Sequence, residues 1–108
     1  MQVILNLLKN SEDNFLDKKT LNPTIMITTF LKEESYIIRV CDNGGGIKEE
    51  TAKHIFEPYF STKNNKMGTG LGLYMSKIII EDHHLGSLLM RNVSSGVCFE
   101  LIFPRPKA

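Results

Sequence analysis

Residues 42–47 read DNGGGI, an acid and an amide followed by three glycines, placed directly behind the apolar run SYIIRVC and just before the charged stretch KEETAKHIF. Consecutive glycines are costly inside a domain, because glycine gives up more backbone freedom on ordering than any other residue. The run therefore marks a place where the chain must turn sharply or let something approach its backbone. Three uses compete. A tight turn needs only Asn-Gly or Gly-Gly and no ligand. A calcium loop would need oxygen ligands where Gly44 and Gly46 stand and a bidentate acid where Lys53 stands, so that chemistry is excluded. The third use is a bare platform for a flat ligand, with Asp42 accepting a hydrogen bond from an exocyclic amine. Taken alone, DNGGGI reads as a turn.

The surrounding sequence supplies regular elements on both sides. From Gln2 to Leu16, Val3, Ile4, Leu7, Leu8 and Phe15 recur at helical spacing, with Asn6, Asn10 and Asp13 or Asn14 on another face. TIMITTFL (Thr24 to Leu31) and SYIIRVC (Ser35 to Cys41) read as an antiparallel hairpin that delivers the chain into Asp42. Lys48 to Phe56 predicts a short helix ended by Pro58, and Ser61 to Gly70 has the polar, aperiodic character of a mobile loop. Leu71 to His83 returns to helical spacing, and GSLLMRN with GVCFELIF predicts a second hairpin around Val93 to Ser95. This order implies a single α+β domain, with helices on one face of a sheet.

Composition narrows the partners. A formal net charge of +1, with the 13 Lys and Arg residues spread along the chain, gives no nucleic-acid footprint, so an anionic ligand must be held locally. No apolar run approaches a membrane span and no signal peptide is visible. Cys41 and Cys98 lack CxxC spacing and lie in strand-like sequence, which predicts two buried free thiols and a reducing compartment rather than a disulfide or zinc site.

Two further features give the glycines a partner. GTGLGL (Gly68 to Leu73) opens the helix Leu71 to His83. Backbone N–H groups at a helix start form an anion site, and glycine clears the Cβ atoms from it. The pattern is neither the dinucleotide fingerprint nor the P-loop. Asn6 and Asn10, spaced i,i+4, stand one above the other on the first helix. Amides among so many leucines are costly unless paired, and an amide oxygen is an acceptable ligand for Mg²⁺.

Taken together, these motifs resemble the catalytic ATP-binding domain of sensor histidine kinases, in the superfamily shared with gyrase, heat-shock chaperones and mismatch-repair ATPases. NLLKN (Asn6 to Asn10) is similar to the asparagine box, DNGGGI to the first glycine box, FEPYF with STK (Phe56 to Lys63) to the phenylalanine box, and GTGLGL to the second glycine box. GVCFELIFP (Gly96 to Pro104) is similar to the last strand of the family, so the resemblance spans nearly the whole chain. It implies a two-layer α/β sandwich of the Bergerat type, helices over a mixed, mostly antiparallel sheet. Residues 1–108 would form one domain truncated at its N-terminus, lacking the family's first strand and helix and exposing a sheet edge. Ser11 stands where the family usually has alanine, and Asp13 and Asn14 replace the usual end of the box.

The resemblance also implies roles. Asn10 would hold the Mg²⁺ that bridges the phosphates, with Asn6 beside it in the catalytic pocket. Asp42 would read the adenine amine, with Gly44, Gly46 and Ile47 lining the base. Lys9 and Lys63 would contact phosphates, and Gly68, Thr69, Gly70, Leu71, Gly72 and Leu73 would form the lid and the phosphate-facing helix start. Phe56 and Phe60 would chiefly pack and anchor the lid. Hydrolytic members of the superfamily carry a glutamate where Asn6 stands, and an amide takes no proton from water, which favours transfer to an imidazole. The implied partners are a helical dimerisation domain bearing the acceptor histidine and a response regulator, in a homodimer that does not bind nucleic acid. The implied location is the cytoplasm, free or anchored in the inner membrane. His54, His83 and His84 lack the acceptor's acidic neighbour. The rival readings are an anti-sigma-type serine kinase or topoisomerase-like ATPase of the same fold, and a non-catalytic nucleotide sensor.

Overall fold

The structure, a computed structural model, describes residues 2–58, 72–83 and 85–104. Helix α1 (Gln2–Lys18) leads into the hairpin β1 (Ile25–Lys32) and β2 (Ser35–Asp42). Next come a single turn of helix, α2 (Glu49–Ala52), then α3 (Gly72–Ile78), and the hairpin β3 (Ser87–Val93) and β4 (Gly96–Pro104). The four described strands form one sheet in the order β1-β2-β4-β3, antiparallel at every pairing.

The pleat decides which residues meet the helices, since alternate side chains take opposite faces. Val40 of β2, Val97, Phe99 and Leu101 of β4 and Leu88 of β3 share one face and are buried. Against them pack Val3 and Leu7 of α1, Ile55 after α2 and Ile80 after α3. In α1 the buried positions are Val3, Leu7, Ser11 and Asn14, an i,i+4,i+8,i+11 stripe on one side of the helix. Its exposed side carries Leu5, Lys9 and Glu12. On the sheet's other face, the guanidinium of Arg39 holds Glu100 at 2.6 Å and lies 4.9 Å from the ring centre of Phe30. The edge strand β1 exposes Met26, Ile27 and Leu31.

Two helices depart from the sequence reading. The stretch expected to be helical to Phe56 is α-helical only over Glu49–Ala52, after which His54 and Glu57 donate backbone bonds three residues back. Pro58 denies Glu57 the α conformation, so the tighter turns close the segment. After α3, Ile79–His83 continues as one π-helical turn, a wider coil than the even periodicity of Leu71 to His83 implies. Glu81 in that turn accepts from Lys77 at 2.9 Å and from the Leu88 amide at 3.3 Å, tying it to β3. The Lys77 hydrogen bond, with the Leu88 amide and the lysine's charge, holds the Glu81 carboxyl below its ordinary value.

The cysteines correct the sequence reading outright. Cys41 and Cys98 are direct cross-strand partners on β2 and β4, with Cα atoms 4.0 Å apart, and they are joined in a disulfide. The expectation of two free thiols failed because spacing along the chain carries no information about register across the sheet. The bond closes a loop of 57 residues, so reduction with dithiothreitol is expected to lower unfolding stability by about 2–4 kcal/mol. An unchanged denaturation midpoint after reduction would contradict this.

Candidate functional site

Asp42 ends β2 with its side chain on the helix-facing side of the sheet, 5% exposed. Its Oδ1 accepts from the Gly44 amide at 3.0 Å, fixing the start of the turn, and its Oδ2 accepts from the Ser11 hydroxyl of α1 at 2.8 Å. A buried carboxylate with two neutral donors and no ion-pair partner among the described residues is an unusual investment for a mere turn. Asn43 points away from Asp42: its amide bridges the loop before β1, accepting from the Thr24 amide and donating to the Asn22 carbonyl.

The three glycines do different things. Gly45 has φ +87°, a region that only glycine enters at no steric cost, and its N–H donates to the Ser95 carbonyl. Gly44 sits against the Phe15 ring, and Lys18 donates to the Gly46 carbonyl at 2.7 Å. Asn92 of β3 then clamps Ile47 at both backbone groups, accepting from its N–H and donating to its C=O, each at 2.8 Å. The turn is thus gripped by the end of α1 on one side and by the β3–β4 hairpin on the other.

Gly96 is the tightest point. A Cβ there would intrude on the Asp42 carbonyl oxygen and lie 2.7 Å from the carbonyl carbon and 2.9 Å from Oδ1. The carbonyl belongs to a strand paired with β1 and cannot swing aside. Gly96→Ala is therefore expected to push β4 off β2 at Asp42, lowering stability by about 1–3 kcal/mol. A denaturant midpoint equal to the parent's would refute that.

The asparagine pair lies along one flank of α1, both residues half-buried. Asn6 donates from Nδ2 to the fully buried Ser76 hydroxyl at 3.1 Å and to the Gly72 carbonyl at 3.4 Å, so it ties α1 to the start of α3. Asn10 follows one turn later on the same flank. Lys9 is exposed and lies 3.9 Å from Asp13, a surface pair of little energetic weight. Leu73 packs against the core beside this junction, and Ile47 does so from the glycine turn. Phe56 packs edge-on to Phe99 at 6.3 Å with the Lys77 ammonium 4.7 Å from its ring centre. Lys63, Gly68, Thr69, Gly70 and Leu71, with Phe60 and the expected mobile loop, lie outside the described residues. Of the histidines, His54 is exposed and paired with Glu57, and His83 is exposed.

Among the described residues the structure therefore brings together Asp42, Gly44, Gly46 and Ile47 as one unit, and Asn6 with Gly72 as another, both contacted by α1. The sequence reading missed Asn92, Gly96, Lys18 and Ser76, all of which act through contacts between distant parts of the chain. Only Ser11 carried a visible signal, as a hydroxyl on the apolar stripe of α1.

The family model described as histidine kinase-, DNA gyrase B-, and HSP90-like ATPase matches residues 1–107. The two-component sensor PprA of Pseudomonas aeruginosa is 37% identical over 106 residues, covering 95% of this chain and 11% of its own length. Sporulation kinase A of Bacillus subtilis is 36% identical over 104 residues, covering 96% of this chain and 16% of its own. The chain therefore spans only a small part of these curated relatives. Among solved structures, the nucleotide-free catalytic domain of the histidine kinase ThkA matches with a TM-score of 0.79 at 36% identity, covering 96% of this chain and 64% of that one. ThkA in complex with the response regulator protein TrrA matches with a TM-score of 0.74 at 31% identity, covering 97% of this chain and 28% of that one. Sequence and fold agree that the chain belongs to the histidine kinase-, DNA gyrase B- and HSP90-like ATPase family, in the branch formed by the catalytic ATP-binding domains of sensor histidine kinases.

Proposed function

We propose that the chain binds Mg-ATP between α1, the DNGGGI turn and the start of α3, and donates the γ-phosphoryl group to a histidine on a helical dimerisation domain of the same protein. The observation that carries this reading is Asp42, a buried carboxylate held open by two neutral donors at the head of the glycine turn. It is built to accept from an amine such as that of adenine. Gly44, Gly46 and Ile47 then form the backbone beside the base.

The phosphates would run along the asparagine flank of α1 toward Gly72 and Leu73, with Lys9 as an exposed cation; Lys63, Gly68, Thr69, Gly70 and Leu71, outside the described residues, are proposed as further nucleotide-binding residues. No group of three His, Cys, Asp or Glu among the described residues could hold a metal by itself. That suits Mg²⁺, which takes few protein ligands and fills its shell with phosphate oxygens and water, so the Asn10 amide oxygen is a sufficient protein ligand. When bound, the ion neutralises the phosphate charge.

In the transfer, an imidazole nitrogen forms a bond to the γ-phosphorus as the bond to the β–γ bridging oxygen breaks, and ADP leaves with that oxygen. Such a reaction needs positioning and charge neutralisation more than a protein base. Asn6 fits this economy: its amide accepts no proton, and it steadies the α3 start through Ser76 and Gly72. The complex of ThkA with a response regulator supports a regulator as the next acceptor here. A dimeric parent protein working on the cytoplasmic side completes the reading, and no helix of the described residues is long and apolar enough to cross a membrane.

The test is calorimetric titration of the intact protein with ATP, with and without Mg²⁺. Binding that weakens when Mg²⁺ is withdrawn is expected. No ATP binding at concentrations up to about 1 mM, the range of weak but specific sites, would overturn the reading.

A further inference from the structure

Ser11 occupies a position where the packing of α1 calls for an apolar side chain, between Leu7 and Asn14 on the buried stripe, and it is 1% exposed. A serine inside a helix ordinarily returns its hydroxyl to the carbonyl one turn earlier. Here the hydroxyl reaches out of its own helix and donates to Oδ2 of Asp42 across 31 residues of sequence. Burying a hydroxyl on that stripe is unfavourable unless its hydrogen bond has a use.

The geometry of the carboxylate suggests that use. Oδ1 is fixed by the Gly44 amide, which belongs to the turn itself, whereas Oδ2 accepts from the Ser11 hydroxyl of α1. With one donor on each oxygen, a carboxylate retains about half its accepting capacity. Two donors at separate oxygens also prevent rotation about the Cβ–Cγ bond, so the remaining lone pairs have fixed directions. We propose that Ser11 is a specificity-determining positioning residue: through Asp42 it sets the acceptor geometry that favours a base with an exocyclic amine over one with a carbonyl oxygen at the same place. The inference rests on the nucleotide-binding reading above. A carbonyl oxygen facing a fixed carboxylate is repelled, while an amine is attracted. When Ser11 no longer holds Oδ2 the carboxylate turns, the amine loses its aligned acceptor, and the penalty on the carbonyl relaxes.

The experiment compares ADP, inosine diphosphate and inorganic tripolyphosphate by calorimetry in the intact protein, as the parent, Ser11→Ala and Ser11→Cys. Inosine carries a carbonyl where adenosine carries the amine, and tripolyphosphate has no base. In Ser11→Ala the Kd for ADP is expected to rise about tenfold, the scale of a lost hydrogen bond to a charged group. The other two ligands should stay within about twofold, so the preference for ADP over inosine diphosphate collapses. Ser11→Cys keeps the volume with a weaker donor and should fall between, which preserves the test if the alanine variant unfolds.

An unchanged ADP preference in either folded variant, or equal losses for all three ligands, would overturn the role of Ser11. If that happens while the parent prefers ADP, the nucleotide reading stands and only this inference falls. A parent that binds no nucleotide would overturn both, whereas one that binds ADP and inosine diphosphate equally would overturn this inference and the adenine role of Asp42 while nucleotide binding stands.

Discussion

Asn10→Ala is expected to cut phosphoryl transfer by at least about a hundredfold, with the Mg²⁺ dependence moved to higher concentration. The magnitude follows from losing the proposed ligand of an ion that would contribute several kcal/mol of charge stabilisation. No cluster of carboxylates or imidazoles among the described residues is available to take over. Affinity for the base should change little, because Asp42 and its donors Ser11 and Gly44 lie in a separate hydrogen-bonded unit. The measurement is transfer to the helical acceptor domain proposed for the parent protein, across a Mg²⁺ series. Unchanged transfer in a folded variant would remove Asn10 from the metal.

Asp42→Ala should act on the other half of the nucleotide. It deletes the acceptor proposed for the adenine amine, and a hydrogen bond to a charged group is worth about 1.5–3 kcal/mol, so ADP affinity should fall about 10- to 100-fold. Tripolyphosphate should bind as before, since it has no base. The substitution also leaves the buried Ser11 hydroxyl and the Gly44 amide without their acceptor, which lowers stability by about 1–3 kcal/mol. Asp42→Asn, which keeps one acceptor oxygen, separates the effects: stability should largely return and adenine affinity should not. Equal ADP affinity in mutant and parent would take Asp42 out of the base site.

The parts of the molecule that could be read from the sequence are those written in local patterns. Helical spacing over Val3, Leu7 and Phe15 gave α1, and alternation in Ser35 to Cys41 and Gly96 to Phe103 gave β2 and β4. Glycine clusters and the paired amides pointed to the proposed ligand surface because those residue types are costly where nothing uses them. What remained hidden depends on register and on contacts far apart in sequence. The Cys41–Cys98 disulfide exists because β2 pairs with β4, and nothing near either cysteine says so. The Asn92 clamp on Ile47 reaches across 45 residues, and the need for glycine at 96 is set by the Asp42 carbonyl beside it. Local pattern also overran at two helices, where Pro58 shortened α2 and a π-helical turn ended the stretch after α3.

Within DNGGGI itself, sequence and structure divide the labour clearly. Gly45, for which the sequence suggested no use, is the one whose positive φ demands glycine. Asn43, to which the sequence assigned no role beyond the turn, secures the loop before β1.

The most direct test of the central claim is to incubate the full-length protein with ATP labelled at the γ-phosphate and follow the label into the proposed helical acceptor domain. The account predicts a protein-bound phosphate that is lost in acid and kept in base, as a phosphorus–nitrogen bond on imidazole requires. Label appearing only as free phosphate, or as an acid-stable ester on serine, would contradict it, and bound ATP with no turnover would make the chain a sensor of nucleotide instead of a donor.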